Sequence, residues 1–251
     1  ALQVPSSLGG RDGFGPGRRR VPLTVQFPVA AAPRSADAPD DPYRAINGVR
    51  GAGDSAGSLD VYSLGLEVHR DAWLVLDFGG DAAWDVPGPD LVVFENPFDH
   101  PAGRFFDPMT VEVSHDGIEW VAFDHNLAGG DETQWEADPT RWQGFAGLTP
   151  VLLHEEHNPV DPFSEAAGGD AFDFADLPDV PLRQHILDFG VRYIRLTTAA
   201  ALINPDTQAL YPADPISNTA VVKACVETCN AAKVSLGSRR FKEARRSGAQ
   251  C

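Results

Sequence analysis

Short segments in which apolar and polar residues alternate recur between about Tyr43 and Asn218, and Gly, Pro and Asp separate them. Strand side chains point alternately to opposite faces, so a period of two predicts half-buried β-strands. Many short strands with few helical periods are typical of an antiparallel β-sandwich. The predicted strands are Tyr62–Val68, Trp73–Phe78, Leu91–Glu95, Met109–Ser114, Glu119–Phe123, Pro150–Leu153, Ile186–Phe189 and Arg192–Thr197.

The clearest local signal is a β-hairpin centred on Asp116-Gly117. Alternation in the segment Met109–Ser114 precedes this tight-turn pair, and the apolar run that begins at Trp120 follows it. Far downstream, the pattern of Val191–Thr197 predicts a half-buried strand whose arginine side chains lie on the solvent-exposed face. A hairpin followed much later by such a strand resembles the galactose-binding-like (discoidin-type) β-sandwich. That resemblance implies an all-β, antiparallel jelly-roll fold that is used mostly for binding.

Charge divides the chain into an acidic body and two basic ends. The whole chain of 251 residues has a formal net charge of −16, whereas residues 51–218 contain six Lys and Arg against thirty Asp and Glu. Such a surface repels phosphate backbones, which excludes nucleic acid as the partner of the body. Densely placed carboxylates also repel one another, and hard divalent cations such as Ca²⁺ relieve that repulsion.

The two ends differ in composition from the body, which we expect to span residues 43–218. Residues 1–42 are rich in Gly, Pro and Arg and are predicted to form a disordered arm. An alternative is a secretory signal, because Arg18–Arg20 precede the apolar segment Val21–Ala32 and the small residues around Asp37. Residues 219–251 predict a short helix and a basic end. All three cysteines lie there, so no disulfide framework holds the body.

Oxygen-bearing side chains next to strands and flexible loops suggest a metal site. Glu95 and Asn96 end an apolar strand just before a proline, and Asp60 closes a Gly-rich loop that starts at Gly51. Asp170 and Asp173 follow a Gly-Gly pair downstream. Carboxylate and amide oxygens are the ligands that Ca²⁺ prefers, although Asp-Gly loops are often simply turns. The five residues together predict a Ca²⁺ site.

A long segment from about Asp124 to Asp170 offers a second kind of site. It contains Trp135, Arg141 and Trp142, residue types with which carbohydrate-binding modules stack sugar rings and bind hydroxyls. We therefore consider these three as a ligand face for a glycan. The alternative is that both tryptophans pack the segment onto the sandwich.

A hydrolase is the third possibility that the sequence leaves open. His154 and His157 are separated by two glutamates, but their i, i+3 spacing does not match the helical zinc motif with histidines at i and i+4. Many Asp and Glu pairs could act as a glycosidase acid and nucleophile, an assignment that depends on their separation in space. No nucleophile elbow, P-loop or dinucleotide fingerprint is present.

Five segments follow one another along the chain: Ser58–Gly65, Gly88–Pro97, Met109–Gly117, Phe145–Pro150 and Gly168–Asp173. In this order they resemble the successive motifs of a family of bacterial secreted cell-surface proteins and lipoproteins. The resemblance covers about Gly51 to Asn218. It implies a calcium-stabilised, galactose-binding-like sandwich displayed outside the cell, non-catalytic, with a glycan or a surface protein as partner. A closing strand expected after Asn218 is replaced here by an unrelated tail.

Overall fold

A computed structural model describes residues 23–34, 41–58, 60–64, 73–80, 82–101, 103–129, 134–212 and 223–229. Within these residues the chain is mostly β, with antiparallel strands, one α-helix (α1, Pro181–Phe189) and a few 3-10 turns. The strands are β1 Leu23–Gln26, β2 Ala30–Arg34, β3 Trp73–Asp77, β4 Leu91–Phe94, β5 Phe98–His100, β6 Gly103–Phe105, β7 Met109–Ser114, β8 Val121–Ala122, β9 Asn126–Leu127, β10 Trp142–Gln143, β11 Asp170–Phe172, β12 Tyr193–Thr198 and β13 Lys223–Cys229.

The described strands form two larger antiparallel sheets, in agreement with the predicted β-sandwich, and two small two-stranded sheets, β9-β10 and β5-β6. One larger sheet has the strand order β1-β13-β4-β11 and the other β2-β3-β12-β7-β8. Inward side chains of both sheets form one hydrophobic cluster, which includes Leu76, Val93, Val111 and Ile194, all fully buried. Since apolar burial is worth roughly 25 cal/mol per Å², this shared core is the main force that holds the two sheets together.

Strand β4 is covered on both faces, which explains its continuous apolar sequence. Leu91 and Val93 point into the core between the sheets, whereas Val92 and Phe94 belong to a second cluster with Val151 and other loop residues. The loops that pack on the outer face of β4 thereby reach the point where this strand ends, and they position the residues of the candidate site described below.

The hairpin predicted at Asp116-Gly117 is confirmed. Val113 pairs with Val121 across β7 and β8. The Asp116 carboxylate accepts hydrogen bonds from the backbone N–H groups of Ile118 and Glu119, at 2.8 and 3.0 Å. Gly117 has φ +76°, a left-handed conformation that glycine adopts without strain.

Both ends of the chain contribute strands, where the sequence predicted a disordered arm and a short helix. Strand β1 pairs with β13, and β2 pairs with β3. Strand β13 also pairs with β4, so the tail that replaces the expected closing strand itself supplies a strand of that sheet. The helix prediction for this part of the tail was wrong because pairing with β4 overrides a weak helical spacing. The signal-like residues 1–22 and 35–40, and the basic end after residue 229, lie outside the described residues.

Two other strand predictions were wrong. Ile186–Phe189 is the last part of α1, whose first residue is a proline, and Ile186 is its buried anchor. In Pro150–Leu153 the structure has a single bridge, from Val151 to Gly168. Of the predicted strand Tyr62–Val68, the described residues 62–64 contain only a bridge at Ser63, and residues 65–68 lie outside the described residues. In the described ranges, no helix has both the length and the apolar character that crossing a membrane requires.

Candidate cation sites and the aromatic loop

Glu95 and Asn96 follow β4 directly, and the loop of residues 47–60 lies against them. A Cβ atom placed on Gly57 would be 2.7 Å from Oδ1 of Asn96, so a larger residue there would require the Asn96 side chain to shift. The backbone N–H of Asp99 donates to the carbonyl oxygen of Asp54 in the same loop. The strand exit and the loop are therefore in direct contact.

Within this loop, Asn47 and Asp60 form a fixed pair. The Asn47 side chain donates from Nδ2 to both carboxylate oxygens of Asp60, at 3.1 and 3.0 Å. Since only the NH₂ group of an amide can donate, these bonds define which side-chain atom is Oδ1. Arg50 also donates to Asp60, at 3.0 Å, and its side chain is 41% exposed. We call Asn47, Asp60, Glu95 and Asn96 the strand-exit site.

Two amide oxygens of the strand-exit site lack donors. Oδ1 of Asn47 and Oδ1 of Asn96 are both buried and accept no hydrogen bond from the part of the chain that the structure describes. Buried polar atoms are nearly always satisfied, and an unsatisfied one costs about 1–3 kcal/mol. Glu95, next to Asn96, is only 4% exposed. Amide and carboxylate oxygens are the types of ligand that a hard cation prefers.

Asp170 lies near this site, but its carboxylate already accepts hydrogen bonds from backbone N–H groups. Its carboxylate accepts bonds from the N–H groups of Gly147, Leu148 and Thr149, at 2.8, 2.9 and 3.4 Å, and from the Thr149 hydroxyl at 2.8 Å. Burial raises the pKa of Asp170, and these four donors oppose that rise. A Cβ on Gly147 would lie 3.3 Å from Cγ of Glu95. Asp170 therefore fixes the turn that packs on Glu95.

Asp173 belongs to a different part of the molecule. Its carboxylate groups with those of Asp85 and Asp90, with one oxygen of each within 4.8 Å of the others, and we call these three residues the acidic triad. The N–H of Asp90 bonds to Phe172 at the start of β4, five residues before Glu95. At 3.3 Å per residue, Asp90 and Glu95, which flank β4, are about 16 Å apart. The five residues predicted to share one Ca²⁺ thus lie at two places, with Asp173 separated from the others.

Asp90 is the structural centre of the triad. It is fully buried, and its two oxygens accept bonds from the N–H groups of Val86 and Phe174, each at 2.8 Å. Desolvation raises the pKa of Asp90 to about 8. The hydrogen bonds from Phe174 and Val86 oppose this rise, whereas the negative charges of Asp173 and Asp85 add to it. A carboxyl so enclosed and bonded joins two chain segments and is not exposed to a substrate.

The raised pKa of Asp90 predicts that stability falls as pH rises. Between about pH 4 and pH 8 the folded state holds a proton that the unfolded chain has released, so each rise in pH weakens folding. Relative to Asp90→Asn, the wild type should lose stability on the order of several kcal/mol across this window. Near pH 4 the variant should be less stable by about 1–3 kcal/mol, because its NH₂ group faces a backbone N–H.

Urea denaturation at several pH values measures this difference. Glu156→Gln, a change at an exposed turn residue, is the matched control and should follow the wild-type curve. A constant stability difference between wild type and Asp90→Asn from pH 4 to pH 8 would contradict the raised pKa.

Of the three residues predicted as a glycan face, Trp142 does not lie at the surface. Trp142 is 2% exposed and belongs to a core cluster, where its ring lies 5.3 Å from those of Phe145 and Trp135. Trp135 packs against the same cluster. Arg141 is 45% exposed and pairs with Glu136, at 3.4 Å. A buried indole has no face for a sugar ring, so packing accounts for Trp142.

The segment from His154 to His157 is a turn, and the two histidine rings stack at 4.3 Å. Nδ1 of His154 accepts bonds from the backbone N–H groups of Glu156 and His157, at 3.1 and 3.2 Å. This ring nitrogen therefore stabilises the turn, and the helical geometry of a zinc protease motif is not present here.

Sequence reasoning missed Asn47, Asp85 and Asp90 as site residues. Asn47 precedes a glycine, which is the usual signature of a turn, and Asp90 ends a Pro-Gly-Pro turn. No local signal links Asn47 to Asp60 or Asp90 to Asp173. Compared with known proteins, the chain matches no protein-family model, and no curated protein is significantly similar to it.

Proposed function

We propose that this protein is a non-catalytic, calcium-binding module of the cell surface, and that Ca²⁺ binds at the strand-exit site. One observation carries the proposal. The buried amide oxygens of Asn47 and Asn96 have no hydrogen-bond donor among the described residues. The Asn47 amide is bonded to the Asp60 carboxylate, Glu95 precedes Asn96 in the chain, and Gly57, from the same loop as Asp60, packs on Asn96. A cation satisfies such oxygens and the adjacent negative charge at the same time.

The ligand chemistry favours Ca²⁺ over other metals. Amide and carboxylate oxygens are hard ligands, whereas Zn²⁺ and Cu²⁺ favour His and Cys, and the strand-exit site has neither. Mg²⁺ requires a near-ideal octahedron and keeps several waters, which suits amide oxygens in a flexible Gly-rich loop less well. The excess of acidic residues in the body raises the local concentration of cations and supports the same choice.

The wider context of the proposal comes from the resemblance of the sequence motifs. Two antiparallel sheets packed face to face are compatible with a galactose-binding-like jelly roll. We extend the proposal to display outside the cell, with adhesion or ligand recognition as the role. Binding is favoured over hydrolysis because Asp90 is enclosed and because His154 stabilises a turn.

The test is a calcium titration of the metal-stripped protein. Ca²⁺ should raise the melting temperature, and at one hundred times its Kd it should stabilise the fold by about 2.7 kcal/mol. EDTA should reverse the effect, and Mg²⁺ should reproduce only part of it. Glu95→Gln keeps the size of the side chain and removes its charge, so it should weaken Ca²⁺ binding at least tenfold in isothermal titration calorimetry. Arg50→Met removes a competing positive charge from Asp60 and should strengthen binding.

Asp173→Asn is the matched control, because it removes a carboxylate from the acidic triad, at the other end of β4. It should leave the calcium response unchanged. If Asp173→Asn abolished the stabilisation by Ca²⁺ and Glu95→Gln kept it, the ion would bind at the acidic triad. That result would refute the strand-exit assignment. Identical melting curves in Ca²⁺ and in EDTA would refute calcium binding altogether, and water would then be the partner of the amide oxygens.

A further inference from the structure

A surface groove of about 650 Å³ lies beside the β7–β8 hairpin, and none of the residues proposed to bind calcium lines it. Its floor includes Trp120 and the segment that runs on to β9, and its other walls come from β10, from residues before α1 and from a loop at Pro205. Pockets for small molecules have volumes of about 300–1,000 Å³ and combine apolar surface with a few placed polar groups. We name it the Trp120 groove.

The aromatic part of this groove is held rigidly. The guanidinium of Arg195 lies 4.5 Å from the centre of the Trp120 ring and forms an ion pair with Glu112 on the neighbouring strand. The indole is only partly buried and lines the groove. An aromatic side chain fixed from its surroundings gives a ligand a platform whose ordering costs little on binding.

The polar groups of the groove include both donors and acceptors. Asn126 and Gln143 are directly paired across β9 and β10, which places their amide side chains next to each other. Asp124 and Asp206 add exposed carboxylates. Amides donate and accept, whereas carboxylates only accept, so a ligand that does both satisfies the whole set.

His125 completes the polar surface. Its Nδ1 lies 2.9 Å from the Tyr211 hydroxyl, and its ring packs against Phe145 at 5.0 Å, so its orientation is fixed. Burial lowers its pKa, which keeps the ring neutral at pH 7. The second ring nitrogen has no hydrogen-bond partner among the described residues.

We propose that the Trp120 groove binds a neutral saccharide, with one sugar ring against Trp120 and hydroxyl groups bonded to Asn126, Gln143 and Asp206. Sugars have apolar C–H faces that pack on aromatic rings, and their hydroxyls both donate and accept. None of the described residues that line the groove is Lys or Arg, which disfavours anionic ligands. An amine would use the carboxylates and leave the amide donors without partners.

The test uses the whole protein and a panel of neutral sugars: galactose, glucose, mannose, N-acetylglucosamine, lactose and cellobiose. Saturation-transfer NMR and tryptophan fluorescence should detect at least one binder, with a Kd of about 1 mM or tighter. Gln143→Ala and Asp206→Ala change exposed side chains and should each weaken binding about tenfold, the effect of one hydrogen bond. Trp120→Ala should abolish it. Gln184→Ala, an exposed glutamine on α1, should bind like the wild type.

Several outcomes would overturn the proposal. They are a panel without any binder, a sugar whose Kd is the same in Gln143→Ala and Asp206→Ala, and binding of lysine or putrescine that competes at the groove. Glu95→Gln should keep its sugar affinity in both Ca²⁺ and EDTA. The result is therefore independent of the calcium assignment, and each proposal can fail without the other.

Discussion

Replacing Trp142 with alanine should lower the free energy of unfolding by about 3–5 kcal/mol. The indole is 2% exposed, and it packs edge-on against Phe145 and at 6.2 Å from Phe106. Its Nε1–H donates to the carbonyl oxygen of Glu136 at 2.9 Å. The substitution therefore leaves a cavity in the smallest of the three hydrophobic clusters and removes a bond that fixes the loop. Chemical denaturation monitored by circular dichroism measures the effect.

Trp142→Phe is the matched variant. It keeps an aromatic ring and removes the hydrogen bond, so we expect a smaller loss of about 1–2 kcal/mol. If Trp142 instead bound a ligand at the surface, the alanine variant would retain its stability to within 1 kcal/mol and would lose ligand binding. That pattern would restore the glycan face predicted from the sequence.

Replacing Asp170 with alanine should cost about 3 kcal/mol. Three backbone N–H groups, of residues 147–149, and the Thr149 hydroxyl lose their common acceptor. Donors that stay buried without a partner carry the full desolvation cost. Because the turn at Gly147 packs on Glu95, the same variant should also weaken the calcium response.

Asp170→Asn separates the two roles considered for this residue. The amide oxygen still accepts from the turn, so the fold should lose no more than about 1 kcal/mol, and Ca²⁺ should bind nearly as well. Asp138→Ala removes an exposed cap of a 3-10 turn and controls for the loss of a surface carboxylate. A large loss of calcium affinity in Asp170→Asn, with the fold intact, would make Asp170 a ligand of the ion.

The strands that the sequence predicted best are those whose pattern follows from burial on one face. In β3, buried and half-buried positions alternate, and in β7 and β12 apolar residues alternate with polar ones although most positions of β7 are buried. The hairpin between β7 and β8 was equally predictable, because Asp116 and Gly117 have the local chemistry of a tight turn. These features depend on a few neighbouring residues, which a single sequence displays directly.

The helix α1 and the strands at the chain ends were not predictable in this way. Ile186–Phe189 is short and apolar, so without its neighbours it has no distinct strand or helix period. Strands β1 and β13 pair with each other across about two hundred residues, and β13 also depends on an open edge of β4. Long-range pairing of this kind leaves no local mark in the sequence.

For the candidate sites, the sequence by itself identified the residue types and the strand exit at Glu95 and Asn96, because an apolar strand that stops at a proline is a local feature. Only the tertiary structure decided which oxygens meet. It placed Asn47 beside Asp60, separated Asp173 from Glu95 by the length of β4, and buried Trp142. The physical reason is that coordination and burial depend on distances between segments far apart in the chain, and those distances are set by the packing of the two sheets.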